Sequence, residues 1–190
     1  LGAVMALLLV RKYSRQLKDL PKLSIDPRDA ESDLYQLLHA GENAHLEFKS
    51  TMRRNLKSGK HGKEIELAWL KGVAAFLNTD GGILLLGVAD DAEVLGLGPD
   101  EFDNEDKCRL HFKNLFNQHI GMEFSPFIHF GVRPLGEDQV FVIACRPSPR
   151  PVFVKDKQDE RFFIRSGAST RQLKMSQVIE YVEERRKASA

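Results

Sequence analysis

The sequence predicts a single α/β or α+β domain in which a mixed β-sheet is flanked by helices. Between Ile65 and Leu77 the apolar residues recur at helical spacing. Ile83–Leu86 is instead an uninterrupted apolar run, as expected of a strand buried on both faces. Asn78–Gly82 joins the two segments, and its paired glycines can adopt the positive φ that a chain reversal requires. Further helical and strand patterns follow without internal repeats, which favours one domain.

The composition is that of an ordinary globular protein. Of the 190 residues, 42% are hydrophobic and 29% are charged, which argues against wholesale disorder. The formal net charge of +1 gives no general case for binding nucleic acid or a membrane surface, so such a function must come from local clustering of charge. Cys108 and Cys145 form no metal-ligand pattern and are expected to be buried free thiols in a reducing compartment.

The first twelve residues differ from the rest of the chain. Leu1–Val10 is an unbroken apolar decapeptide, and Arg11 and Lys12 follow at once. Ten helical residues span only about 15 Å, half of a hydrocarbon core. We interpret residues 1–12 as the cytoplasmic end of a truncated transmembrane helix, which would place the domain at the cytoplasmic face of a membrane. An amphipathic or buried helix of the domain itself is the alternative.

The remaining elements are predicted in chain order. Residues 13–40 contain a polar juxtamembrane linker and then a short helix that ends near Gly41. Residues 44–50 alternate apolar and charged side chains and predict the first strand. The elements expected after it are a basic loop over 51–63, the helix and strand described above, a helix over 103–120, hairpins of strands 127–134 with 139–145 and 151–154 with 161–165, and a last helix that Ser176 caps and that runs to about residue 187.

The segment between Phe48 and Glu64 concentrates positive charge and contains no acidic residue. Such a loop can neutralise several phosphates, which gives sequence-independent and salt-dependent binding to nucleic acid. An ordinary solvated loop is the alternative. Its cations are Lys49, Arg53, Arg54, Lys57, Lys60, His61 and Lys63.

Acidic residues occur where two predicted strands begin or end. Glu42 and Glu47 flank the entry to the first strand, and Asp90 and Asp91 follow the central one. If these strands are neighbours, three carboxylates can converge and hold a divalent cation such as Mg²⁺ or Mn²⁺. Such an ion activates water and stabilises a phosphoryl transition state. Exposed strand-end residues without a shared ion are the alternative.

A second candidate anion site lies near the C-terminus. Residues 162–170 end a strand in a segment of small and hydroxyl-bearing residues, whose amides and hydroxyls can hold an anion. Arg165 can add a bidentate phosphate contact. Helix capping by Ser169 or Thr170 explains the pattern equally well. The chain contains no Gly-x-x-x-x-Gly-Lys-Ser/Thr loop, so a Walker-type ATP site is not expected.

Three segments together resemble the Schlafen-type AlbA domain family, whose bacterial members are also labelled divergent AAA or ATP-binding. Gly41–Lys49 is similar to the family's opening motif, which ends in Leu-Glu-Phe-Lys. Ala75–Asp91 is similar to its Asn-Thr-x-Gly-Gly motif and the Gly-Val strand end that follows. Phe163–Thr170 is similar to its Arg-x-Gly-Ser-Ser-Thr motif. The segments stand in the family's order, which implies an AlbA-like domain over residues 41–190.

The resemblance implies contacts with nucleic acid. Family members bind RNA or DNA, and some animal members are metal-dependent ribonucleases. Their catalytic acids are two glutamates five residues apart and an aspartate after the Gly-Val strand end, which correspond to Glu42, Glu47 and Asp90. In this chain these acids would hold the Mg²⁺ or Mn²⁺. The animal enzymes build their groove from two lobes, so an equivalent groove here would need a homodimer.

Three functions follow as hypotheses. The first is a bacterial regulatory module, tethered to the membrane, that binds RNA or DNA. Its phosphate contacts would be Lys49, Arg53, Arg54, Lys57, Lys60, Lys63 and Arg165. The second is a metal-dependent endoribonuclease that uses the three carboxylates. The third is a nucleotide-sensing or protein-interaction module.

Overall fold

The computed structural model describes residues 27–188, with side chains described for residues 31–187. The predicted residues 1–12 and the first part of the linker lie outside the described residues. The helices are α1 (Pro27–Ala40), α2 (Lys63–Asn78), α3 (Glu105–His119) and α4 (Met175–Ala188), with short 3-10 helices at Gly98–Asp100 and Met122–Phe127. The strands are β1 (Leu46–Lys49), β2 (Arg54–Asn55), β3 (Lys60–His61), β4 (Gly82–Leu86), β5 (Ile128–Leu135), β6 (Asp138–Cys145), β7 (Phe153–Asp156), β8 (Asp159–Ser166) and β9 (Ser169–Leu173). Within residues 27–188, every helix is too short or too polar to cross a bilayer.

The mixed sheet predicted from the sequence is confirmed. Its four strands lie in the order β1-β4-β6-β5. β1 and β4 are parallel, with Leu46 opposite Ile83 and Lys49 opposite Leu86, whereas β4 pairs antiparallel with β6 and β6 with β5. β7, β8 and β9 form a separate antiparallel sheet, and β2 and β3 form a two-stranded ribbon.

Both faces of the four-stranded sheet are covered. Leu84 and Leu86 face a core that contains Trp69 of α2 and Phe112 of α3. Ile83 and Leu85 face a second core, to which α1 contributes Leu34 and Leu37. The apolar run in β4 therefore packs on two sides, as its sequence predicts.

The two cysteines are buried free thiols, as predicted. Cys108 lies in α3 and Cys145 ends β6. Burial raises the pKa of the Cys108 thiol to about 12 and also raises that of Cys145. Both thiols are therefore protonated near neutral pH, which makes them unreactive.

The segment between α2 and β4 joins the two sheets. Gly81 and Gly82 have φ values of 79° and 158°, and a Cβ on Gly82 would overlap the ring of Phe76. The buried Asn78 side chain donates to the carbonyls of Val152 and Phe163 at 2.8 and 2.9 Å, and accepts from the Val152 N–H at 2.8 Å. Asn78 thus satisfies backbone groups of β8 and of the residue just before β7.

Some local predictions differ from the structure. The basic loop contains the β2–β3 ribbon, and the segment after Ser166 is a tight hairpin into β9. Ser169 and Thr170 are therefore strand residues, so the helix-capping alternative for them is wrong. The last helix begins at Met175, so Ser176 lies inside it and does not precede it as a cap. The Gln177 side chain instead accepts from the Lys174 N–H at 3.0 Å.

Candidate nucleic-acid interface

The β2–β3 ribbon projects a short basic turn, and we call residues 54–61 the arm. The Asn55 side-chain oxygen accepts from the N–H groups of Lys57 and Ser58 at 3.0 and 3.2 Å. Gly59 takes the positive φ of 66° that the turn requires and donates to the Asn55 carbonyl at 2.8 Å. The turn is thus specified locally, and its tip from Leu56 to His61 is exposed.

A buried acid anchors the base of the arm. The Asp100 carboxylate is fully buried and accepts three consecutive backbone N–H groups, from Met52 at 2.7 Å, Arg53 at 2.8 Å and Arg54 at 3.1 Å. The Trp69 indole N–H donates to the Met52 carbonyl at 2.8 Å. These bonds connect the chain just before the arm to α2 and to the 3-10 helix that ends at Asp100. The base is therefore fixed even though the tip is exposed.

Two of the predicted phosphate contacts strengthen this anchor. The Arg53 guanidinium donates to the carbonyls of Asp100 and Glu101 at 2.8 and 2.7 Å and lies 3.9 Å from the centre of the Phe102 ring. Arg54 forms an ion pair with Glu101, which raises the pKa of Arg54 and lowers that of Glu101. Both guanidinium groups therefore have protein partners.

The lysines of the arm differ from these arginines. Lys57 and Lys60 are exposed, and neither forms an ion pair with another described residue. Lys63, just beyond the arm, binds Asp156 at the end of β7 with a nitrogen–oxygen distance of 2.8 Å. The Lys63 ammonium lowers the pKa of Asp156. Lys57 and Lys60 are therefore the members of the predicted set whose charge is left for a ligand.

The remaining two predicted cations surround Glu47, which is 6% exposed. One carboxylate oxygen of Glu47 lies 2.9 Å from Lys49 Nζ, and the other pairs with Arg165 Nη1. Arg165 also donates to the Thr170 hydroxyl at 3.0 Å and to the Asn43 carbonyl at 2.7 Å. Burial lowers the pKa of Arg165, whereas the negative charge of Glu47 opposes this shift. The pair joins β1 of one sheet to β8 and β9 of the other.

The other predicted acids have different surroundings. Glu42 accepts the Phe48 N–H at 2.8 Å and lies 4.0 Å from Lys49 Nζ. Asp90 is exposed in a turn that the Ala92 N–H closes on the Ala89 carbonyl at 2.9 Å. Glu42 and Glu47 thus both lie near the Lys49 ammonium group. Only Glu47 also contacts β8, through Arg165.

A divalent ion does not fit this donor set as it stands. Among the described side chains, no three carboxylate, imidazole or thiol groups are placed to hold a metal ion together. Each oxygen of Glu47 already faces a cation, so an ion there would have to displace Lys49 or Arg165. That Glu42, Glu47 and Asp90 share Mg²⁺ or Mn²⁺, and cleave RNA with it, therefore stays a prediction.

Sequence reasoning missed the residues that anchor the arm. Asp100 and Glu101 contact residues 46 to 48 positions earlier in the chain. The only local signal is the Gly98-Pro99 turn before them, which is typical of many loops. Their pairing with the arm is a property of the tertiary fold.

A family model and several solved structures match this chain. The family model described as Schlafen, AlbA_2 matches residues 42–174, most of the chain. Among solved structures, the chain is similar to the DIP2311 protein from Corynebacterium diphtheriae, with 20% identity and a TM-score of 0.54 over 82% of this chain and 32% of that protein. It is also similar to the N-terminal domain of a RecG-related protein from Nitrosomonas europaea, with 19% identity and a TM-score of 0.47 over 74% of this chain and 94% of that domain.

These similarities have a limited reach. The likeness to the Corynebacterium diphtheriae protein shows the fold alone, and this chain spans about a third of that protein's length. None of the curated proteins is significantly similar to the chain.

Proposed function

This chain belongs to the Schlafen AlbA_2 family, and we propose that it binds RNA or DNA through phosphate contacts made by the arm. One observation carries the proposal. Lys57 and Lys60 stand exposed on a turn whose base is anchored by a buried carboxylate, and neither has an ion-pair partner among the described residues. This arrangement supports electrostatic binding that does not depend on base sequence.

The anchored base favours binding because less conformational freedom is lost when a ligand is engaged. A loop of this length without the Asp100 contacts would have to be ordered at the moment of binding. With these contacts, the turn from Asn55 to Gly59 keeps its conformation in the free protein. Binding then has to order only the side chains of Lys57 and Lys60. Arg53 and Arg54 contribute indirectly, by holding this base.

Salt dependence tests the proposal. Affinity for a short RNA duplex and a DNA duplex would be measured by fluorescence anisotropy at several salt concentrations. Each lysine that contacts a phosphate contributes about one unit to the slope of log K against log salt. We expect the Lys57→Gln/Lys60→Gln variant to lose about two units of slope on both duplexes.

Lys187→Gln is the matched control, since it removes one exposed lysine from α4. Its neighbour Arg185 donates to the Thr79 carbonyl just past the C-terminal end of α2, whereas the arm leads into the N-terminal end. The 16-residue α2 is about 24 Å long, so the control site is remote from the arm. Equal slopes for wild type and both variants, or wild-type affinity that does not fall with salt, would contradict the proposal.

We also propose that residues 1–12 tether the domain to the cytoplasmic face of a membrane. The support is the apolar run Leu1–Val10 with Arg11 and Lys12 directly after it. Fractionation of cells that produce the protein tests this. We expect the protein in the membrane fraction, and we expect this recovery to be lost when residues 1–12 are removed. Recovery in the soluble fraction with that segment present would contradict it.

A further inference from the structure

Arg109 and Arg133 converge on β5, an outer strand of the four-stranded sheet that is far from the arm in sequence. A Cβ built on Gly131 of β5 would lie 3.2 Å from Arg133 Nη1 and 3.5 Å from Arg109 Nη2. β5 has a paired neighbour on one side only, β6. Gly131 is buried, and a guanidinium from β5 and one from α3 occupy the space that its missing side chain leaves; we call this place the notch.

The positive charge in this notch exceeds the negative charge. Arg109 pairs with Glu105 one turn earlier in α3. Arg133 donates to the carbonyl of its own neighbour Val132 at 2.9 Å, and no described carboxylate lies within ion-pair distance of it. His129 is exposed two residues before Gly131, on the same side of β5. The two guanidinium groups at Gly131 are thus accompanied by one acid, Glu105, which pairs with Arg109 only.

From this geometry we infer that the notch formed by Arg109, Gly131 and Arg133 is a second phosphate-binding site of the domain. Guanidinium groups repel one another when they lie side by side, and a phosphate between them removes this repulsion while accepting their N–H groups in pairs. The inference rests on the proposed function, since the phosphate it assigns belongs to the same nucleic acid that contacts the arm.

α3 connects the notch to the arm. Its residue His111 packs against the ring of Phe102 in a tilted orientation, with ring centres 5.4 Å apart. Arg53 lies over the same ring at the base of the arm. Arg109 is two residues away on the same helix and reaches Gly131. Residues two apart project from opposite sides of a helix, so a nucleic acid that contacts both the arm and the notch would cross α3 between them.

The inference is tested by the same salt titrations on the RNA and DNA duplexes. Arg133→Gln removes the guanidinium that has no acidic partner, so we expect weaker binding and a slope smaller by about one unit. Gly131→Ala should also weaken binding, because its Cβ would press on Arg133 while the backbone there needs no positive φ. Glu105→Gln frees Arg109 and should strengthen binding.

The outcomes distinguish the two proposals. A Lys57→Gln/Lys60→Gln variant that loses slope while Arg133→Gln and Gly131→Ala behave like Lys187→Gln would overturn the notch and leave the arm in place. Wild-type protein that binds neither duplex would overturn both. Circular dichroism on each variant checks the fold, and the gain expected for Glu105→Gln does not arise from unfolding. A loss of affinity in that variant would also count against the notch.

Discussion

The arm and the Glu47–Arg165 pair are both rich in charge, yet they use it in opposite ways. At the base of the arm, the buried Asp100 carboxylate accepts only backbone N–H groups of residues 52–54. It therefore does not pair with Lys57 or Lys60, whose side chains stay exposed. Around Glu47 the cations are turned inward and neutralise the acid. The comparison shows that a count of lysines and arginines along a segment does not give the number whose charge lacks an ion-pair partner. Under the proposed function, the arm contacts phosphates through the cations that remain without such a partner.

The largest expected effect comes from breaking the inward-facing pair. Arg165→Ala would leave one oxygen of the buried Glu47 carboxylate without its cation, which costs about 3–5 kcal/mol of unfolding free energy. The Glu47→Leu/Arg165→Met double variant removes both charges and should lose less. Denaturant unfolding with both variants measures the difference. A single variant as stable as wild type would mean that the pair does not join the two sheets.

Removing the anchor of the arm should have the next largest effect. Asp100→Ala leaves three backbone N–H groups without an acceptor, at a cost of about 2–3 kcal/mol. Because the base of the arm loosens, trypsin should also cut faster after Lys57 and Lys60. Asp100→Asn keeps one side-chain oxygen as an acceptor and should be intermediate. Limited proteolysis of the three proteins checks the order, and equal cutting rates would refute the anchoring role.

The exposed pair of Lys63 and Asp156 gives the smallest effect and a defined pH dependence. The folded-state pKa of Asp156 is lowered by Lys63, so the pair stabilises the fold above the unfolded pKa of aspartate, about 3.9. This contribution is lost as the pH falls through the lowered folded-state value. Asp156→Asn should therefore have a slightly lower Tm than wild type near neutral pH and an equal Tm in strong acid. A Tm gap that persists in strong acid would assign the effect to packing instead.

Sequence periodicity was sufficient for the parts of the fold that local patterns determine. The apolar residues up to Leu77 in α2 and the run in β4 each follow one period, and the structure confirms both elements and the glycine hinge between them. The family model confirms the resemblance. The two-residue strands of the arm are too short to show alternation. β9 was hidden because Ser169 and Thr170 are common in both loops and strands.

The candidate site could be predicted only in outline. Residue type marked the positive charge near the arm, but the partners of Arg53 and Arg54 are supplied by Asp100 and Glu101 from a distant turn. The placement of Arg165 next to Glu47 likewise depends on how two sheets meet. Such pairings arise from long-range contacts that no local pattern encodes.

One comparison tests the central claim that, between Lys49 and Lys63, the cations without an ion-pair partner make the phosphate contacts. The slope of log K against log salt would be measured for Lys57→Gln, which removes a charge without an ion-pair partner, and for Arg54→Gln, which removes one paired with Glu101. We expect Lys57→Gln to lower the slope by about one unit on an RNA duplex, with Arg54→Gln close to wild type. A loss of slope in Arg54→Gln with an unchanged Lys57→Gln would contradict the account.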